Sequence, residues 1–248
     1  MKGRRVLLLA GSTEASAVAR LLAAEQPDMA IAVSFAGRTS TRAALPASVT
    51  ERVGGFGGVT GLSSYLIAQR IDAVIDATHP FARQMPFHAE AACAAVRVPL
   101  LRVVRPPWAS QAGDQWLHAS DMRAAAQAVR HSSAMRVLLT IGRQELAPFG
   151  QCPQRLLARC IDLPEVDVLP AAEILLARGP FTMDDELELL RRREIDLIVA
   201  KNSGGSATRA KVDAARELGI PIVMVARPAA TDGETVATAP EALDWLQR

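Results

Sequence analysis

Asp76-Ala77-Thr78-His79-Pro80-Phe81-Ala82 sets a carboxylate, a hydroxyl and an imidazole close together. The apolar run Ile71 to Ile75 leads into this stretch, and an alanine-rich helical pattern follows it. Pro80 cannot donate to a sheet ladder, so a strand must stop before it and leave Thr78 and His79 at its carboxyl end. That is the rim where parallel α/β sheets bind their ligands. The chemistry on offer is hydrogen bonding to a bound cofactor or proton transfer through an imidazole.

Other turns carry compatible chemistry. Leu9-Ala10-Gly11-Ser12-Thr13-Glu14-Ala15 joins a strand pattern to a helix pattern through one glycine and two hydroxyls. The free N–H groups and positive dipole end of such a helix favour a phosphate; equally, Ser12 or Thr13 can simply cap it. The G-x-G-x-x-G fingerprint is absent. At the next strand end an NAD site places an acid, but this chain has Ala36-Gly37-Arg38-Thr39-Ser40-Thr41-Arg42. Gly37 and Arg38 are cofactor candidates, and the guanidiniums suit a 2′-phosphate, favouring NADP. One charge-assisted hydrogen bond, worth about 1.5–3 kcal/mol, supports roughly tenfold preference or more. The third strand ends in Gly54-Gly55-Phe56-Gly57-Gly58, whose glycines allow close backbone approach or φ > 0; Gly55 and Gly57 are read as a wall of the dinucleotide site. Lys201-Asn202-Ser203-Gly204-Gly205-Ser206-Ala207-Thr208 is a second anion nest, not a P-loop, because its lysine comes first. Lys201, Ser203 and Gly204 are its candidates for facing the cofactor.

These turns need a scaffold, and the pattern supplies one. Strands are expected at 6–10, 30–35, 49–52, 73–77 and 100–104, with helices at 14–24, 62–70 and 83–96. Right-handed crossovers then give the order 3-2-1-4-5. Arg105-Pro106-Pro107-Trp108 and the polar stretch 110–114 interrupt the alternation and read as a linker. Strands resume at 137–141, 156–160, 173–177, 197–200 and 221–225, with helices at 122–130, 184–193 and 207–218, the last stopped by Gly219. Residues 239–247 form a terminal helix able to pack on either domain. The expected fold is α/β: two doubly wound Rossmann/flavodoxin-like domains, 1–108 and 109–248, with parallel sheets and an interdomain cleft.

Composition narrows the function classes. Half of the 248 residues are hydrophobic and 4% are aromatic, which fits helices packed on parallel sheets. A net charge of +2 with so few aromatics does not describe a nucleic-acid binder. Only Lys2, Lys201 and Lys211 are lysines, so each arginine carries little information and each lysine slightly more. Cys93, Cys152 and Cys160 are odd in number, lack metal-type spacing and suit a reducing compartment. His88, His118 and His131 have no clustered acid or cysteine, so no metal site is expected. The N-terminus imitates a signal peptide, but its apolar run is too short and Glu14 interrupts the approach to the apparent cleavage site. No segment is long and apolar enough for a membrane span, and the expectation is a cytoplasmic protein.

Taken in order, 8–15, 76–82, Arg105-Pro106-Pro107-Trp108, Thr140-Ile141-Gly142-Arg143 and Lys201-Asn202-Ser203-Gly204-Gly205 resemble the precorrin-6A reductase family of cobalamin biosynthesis, over nearly the whole chain. The resemblance implies an NADPH-dependent oxidoreductase acting on a CH–CH group, reducing one double bond of a tetrapyrrole macrocycle to give precorrin-6B. It implies that Gly11, Ser12 and Thr13 hold the pyrophosphate region, that Arg38 meets the 2′-phosphate, and that Thr78 and His79 lie near the nicotinamide end. The related reductases of the anaerobic pathway act on the cobalt-containing substrate; this sequence looks more like the aerobic type. A carboxylate-rich macrocycle calls for bidentate arginines, and the candidates are Arg83, Arg102, Arg105, Arg143 and Arg178, joined by Lys201. Three roles are open to His79: proton donor, orientation of the cofactor, or capping of the next helix. Among rivals, a short-chain dehydrogenase needs Tyr-x-x-x-Lys, whereas the single tyrosine, Tyr65, is followed by Gln69. A flavodoxin-like carrier needs aromatics around its flavin. A non-catalytic NADP sensor is the alternative, disfavoured by a second domain with its own glycine-rich loop. Oligomeric state stays open.

Overall fold

The chain begins with β1 (Arg5–Ala10), whose last five residues are all buried. A strand without polar alternation needs cover on both faces, and it has it. Val6, Leu8 and Ala10 pack toward one layer, while Leu7 and Leu9 pack toward the other, as the two-residue period of a strand requires. In this computed structural model the residues described are 3–37, 44–164, 168–229 and 232–248.

The first sheet continues with β2 (Ala30–Phe35), β3 (Thr50–Val53), β4 (Ala73–Ala77) and β5 (Leu100–Val103). Its helices are α1 (Thr13–Glu25), α2 (Gly58–Gln69) and α3 (Gln84–Val96). The second sheet carries β6 (Trp116–Ala119), β7 (Arg136–Thr140), β8 (Arg155–Cys160), β9 (Glu173–Leu176), β10 (Leu197–Lys201) and β11 (Ile222–Val225). Its helices are α4 (Met122–His131), α5 (Met183–Arg192) and α6 (Ala210–Leu218). Finally β12 (Thr235–Val236) and α7 (Ala239–Gln247) return to the first sheet.

Each sheet has six parallel strands. The orders are β12-β5-β4-β1-β2-β3 and β6-β11-β10-β7-β8-β9. The expected 3-2-1-4-5 order is present in the first, extended by β12, and the fold is the α/β class read from the sequence. In the first sheet one layer is α1 with α7, contributing Val18, Leu22, Ala242 and Leu246; the other is α2 with α3, contributing Leu62, Leu66, Ala89 and Cys93. In the second, Leu138, Ile198, Ile222 and Met224 pack against Leu187, Leu190 and Val212.

The chain divides into two units, one of residues 1–106 with 228–248, the other of 107–227. The terminal helix packs on the first. Trp108, read as linker, is 7% exposed and joins the core of the second unit; its N–H donates to Asn202 Oδ1 at 2.8 Å and its indole N–H to the Gly205 carbonyl at 2.8 Å. Gly219 ends α6 with φ +66°, as expected of a left-handed cap.

Candidate functional site

In the first sheet the order reverses between β1 and β4, and the turns after these two strands meet. Gly11 is required there: a Cβ at that position would lie 3.0 Å from the His79 backbone N and 3.2 Å from Thr78 Cα. Ser12 occupies the N-cap position of α1 yet makes no capping bond. Its hydroxyl instead donates across to the Ala77 carbonyl at 2.9 Å. The capping role left open for Ser12 is therefore not the one it takes, and its side chain leaves the first N–H groups of α1 uncapped, the condition for anion binding.

Thr78 is buried, at 9% exposure. Its N–H donates to Asp76 Oδ1 at 3.0 Å, yet among the described residues its Oγ1 has no hydrogen-bond partner. His79 is half-buried, and its Nδ1 accepts the Phe81 N–H at 3.2 Å. In the neutral ring that bond puts the proton on Nε2. The N-cap position of the following helix belongs to Arg83.

Arg105, a substrate candidate, is tied to the first turn. Its Nη1 donates to Glu14 Oε2 at 2.6 Å and to Thr13 Oγ1 at 3.3 Å. It offsets the one acid in the first turn of α1, a carboxylate that would otherwise repel an anion at that helix end. Arg102 was expected at a strand end among the carboxylate-binding arginines. It is 7% exposed and pairs through Nε with Asp76 Oδ2 at 3.1 Å, so it lies in the sheet rather than on the rim. Arg83 is exposed.

Toward β3, Gly37, Gly54, Gly57 and Gly58 take positive φ. Nothing lies within 4 Å of a Cβ built on Gly54, Gly55, Gly57 or Gly58, so the loop offers bare backbone. Arg52, which sequence reasoning passed over, organises it. Its guanidinium donates to the Gly54 and Gly55 carbonyls at 2.5 and 2.7 Å and to Ser34 Oγ at 3.1 Å, and stacks 3.8 Å from the Phe56 ring centroid. An arginine next to a glycine-rich loop that also holds an aromatic was the available signal. Arg38, with residues 39–42, falls outside the described residues.

The second unit uses its polar turn differently. Asn202 accepts from the Trp108 N–H and returns Nδ2 to the Trp108 carbonyl at 3.1 Å. Arg227 donates to the Asn202 and Ser203 carbonyls, both at 2.9 Å. Ser203 and Gly204 are buried, and Lys201 Nζ lies 3.7 Å from Glu145. Arg143 Nη1 donates to the Leu163 carbonyl at 2.8 Å, past the end of β8; Arg178 is exposed beyond β9. Arg159 and Glu186 form a buried bidentate pair at 2.9 and 3.0 Å. No thiol is activated: burial pushes Cys93 up to about 12, with the nearby Asp76 charge adding to it, and burial also raises Cys152 and Cys160. Among the described residues no group of three or more His, Cys, Asp or Glu converges, and no helix is long and apolar enough to cross a membrane.

The family model described as Precorrin-6x reductase CbiJ/CobK matches residues 5–247. The precorrin-6A reductase of Rhodobacter capsulatus is 46% identical over 244 residues, covering 98% of this chain and 95% of that protein. The cobalt-precorrin-6A reductase of Priestia megaterium is 30% identical over 260 residues, covering 97% of each. A solved structure, CobK precorrin-6A reductase, matches with a TM-score of 0.91 at 45% identity, over 98% of this chain and 96% of that one. A match spanning almost every residue, in sequence and in fold alike, shows that the chain belongs to the precorrin-6x reductase family.

Proposed function

We propose that this chain reduces one double bond of precorrin-6A with NADPH, giving precorrin-6B in cobalamin biosynthesis. The observation that carries the reading is the β1–β4 crevice: a glycine turn pressed against a strand-end threonine whose buried hydroxyl has no partner. Such a crevice fits a dinucleotide. When bound, NADPH supplies a hydride to an electrophilic carbon of the conjugated macrocycle, and the protein aligns the two ligands.

The chain's own residues divide the work. Gly11, Ser12 and Thr13 bring backbone N–H groups and the α1 dipole to the pyrophosphate. Gly37, Gly55 and Gly57 form the wall on the adenosine side, and Arg38 meets the 2′-phosphate. Thr78 and His79 stand toward the nicotinamide. His79, with Nδ1 occupied by the Phe81 amide, serves either proton delivery or orientation of the cofactor. Arg143, Arg178 and Arg83 are the cations for macrocycle carboxylates, while Lys201, Ser203 and Gly204 present a basic, glycine-rich turn at the end of β10. On this reading the enzyme works in the cytoplasm.

Anaerobic mixing of the protein with NADPH and precorrin-6A, following both absorbances, tests this. Coupled loss of NADPH and a chromophore shift is expected; NADPH binding without turnover would favour the sensor alternative. Identity of 42–46% to precorrin-6A reductases against 28–30% to cobalt-precorrin-6A reductases supports the cobalt-free substrate, and kcat/KM measured on both substrates checks that choice.

A further inference from the structure

The first sheet buries an ion pair that the proposed chemistry does not use directly. Asp76 on β4 is 1% exposed, and Arg102, its register partner on β5, is 7% exposed. A buried pair is a poor way to strengthen a sheet, because desolvation offsets most of the attraction and an apolar pair of similar volume does as well or better. This one has a second contact. While Asp76 Oδ2 holds Arg102, its Oδ1 holds the Thr78 N–H. Thr78 is thereby fixed from three sides: its N–H by Asp76, the preceding Ala77 carbonyl by Ser12, and its Cα by the close approach of Gly11. Threonine hydroxyls near strand ends commonly settle on neighbouring backbone; this one is buried with no partner. An unsatisfied buried hydroxyl is a standing cost. It also forfeits nothing when a ligand arrives, since a turn about χ1 between staggered wells can bring it to a new acceptor or donor.

We propose that Asp76 and Arg102 are positioning residues, which lock the Thr78 backbone so that its hydroxyl is held in reserve for the nicotinamide-riboside half of the bound dinucleotide. The assignment rests on the NADPH reading above, and the strand order selects the half. The α1 N-terminus follows β1 and suits the pyrophosphate, while Gly37 and the 54–58 loop follow β2 and β3 on one side of it. Thr78 follows β4 on the opposite side, where the remaining end of the ligand must lie.

Calorimetric titration of the intact protein with NADP⁺ and with adenosine 2′,5′-bisphosphate, which lacks the nicotinamide half, reads the proposal. The double substitution Asp76→Leu/Arg102→Met strands the Thr78 N–H, so its Tm is expected to fall modestly, while bisphosphate affinity stays at the wild-type level and NADP⁺ binding weakens roughly tenfold, the scale of one hydrogen bond. Adding Thr78→Val should cause no further loss, because both changes act through one hydroxyl. Thr78→Val alone should show the same split without lowering Tm, and Thr78→Ser should restore NADP⁺ binding. Wild-type NADP⁺ affinity in the double variant overturns the proposal, as does an equal weakening of the bisphosphate. Should that variant fail to fold, wild-type NADP⁺ affinity in Thr78→Val overturns it instead. A wild-type protein that binds neither ligand removes the cofactor reading itself, and this proposal with it.

Discussion

Both units carry six parallel strands in corresponding order, yet their switch-point turns differ in kind. After β1 an α-helix of 13 residues starts at once. After β7, its counterpart, the chain makes two short 3-10 turns, Arg143–Glu145 and Ala147–Gln151. Only the first arrangement lines up several N–H groups and a useful dipole toward one point. The turns after β4 and β10 differ as well. Thr78 keeps a hydroxyl without a partner, whereas Asn202 and the Ser203 carbonyl are engaged by Trp108 and Arg227. A polar, glycine-rich strand end is thus not one thing: it can be left open for a ligand or closed upon its own unit.

The contrast can be broken most forcefully in the second unit. Arg159→Met strands Glu186, which is fully buried, and should lower stability by about 3–5 kcal/mol in denaturant unfolding. NADPH affinity should hold under native conditions, and a parallel loss of cofactor binding would show that the units do not divide the work as argued. Next in size is a matched glycine pair. Gly11→Val drives a side chain into the Thr78–His79 backbone and should weaken NADPH roughly tenfold or more in titration. Gly142→Ala meets no atom within 4 Å but holds φ +84°. With ψ at 154° it sits in a region essentially confined to glycine, so the change should cost about 1–3 kcal/mol of stability with an unchanged NADPH Kd.

Alkaline pH gives a smaller effect. The Cys93 thiol is raised from 9.0 to about 12 in the folded first unit. Between those values the unfolded chain releases a proton that the folded chain retains. Stability therefore falls as pH rises, by at most about 1.4 kcal/mol per pH unit, and Cys93→Ala should flatten that limb of a stability–pH curve. At Cys160, in the second unit, Arg143 opposes the effect of burial, so Cys160→Ala should change the limb less. The smallest effects are expected at the two capping boxes. Thr182→Ala on α5 and Thr238→Ala on α7 each remove a cap to N3 and should cost about 1 kcal/mol in thermal unfolding, with cofactor affinity untouched in both.

What could be read from the sequence was local. Ala30–Phe35, Ala73–Ala77 and Ala239–Gln247 have the same bounds in expectation and structure, because buried strands and a capped helix announce themselves in short windows. β6 was missed because Trp116-Leu117-His118-Ala119 is a short edge strand with only Ala119 buried, and β12 because two residues make no pattern. The pair Asp76–Arg102 spans 26 residues and depends on strand register; the contact of Trp108 with Asn202 spans 94. Two prolines before Trp108 suggested a connection, and nothing nearby in sequence could reveal its distant partner. The same limit hid Arg52, whose Ser34 contact lies across a strand boundary.

The late return of β12 has a consequence for vectorial synthesis. Arg102 and Val104 donate their N–H groups to the Glu234 and Val236 carbonyls, and Arg4 reaches the Leu246 carbonyl. The second unit is one contiguous stretch of chain, but the first also needs residues 228–248. The half translated first is therefore finished last. Until residues 228–248 have emerged, β5 is a bare edge and the α1 layer lacks its partner, a state that invites chaperone capture. Pulse-proteolysis of stalled nascent chains should find the 107–227 stretch protected before residues 1–106.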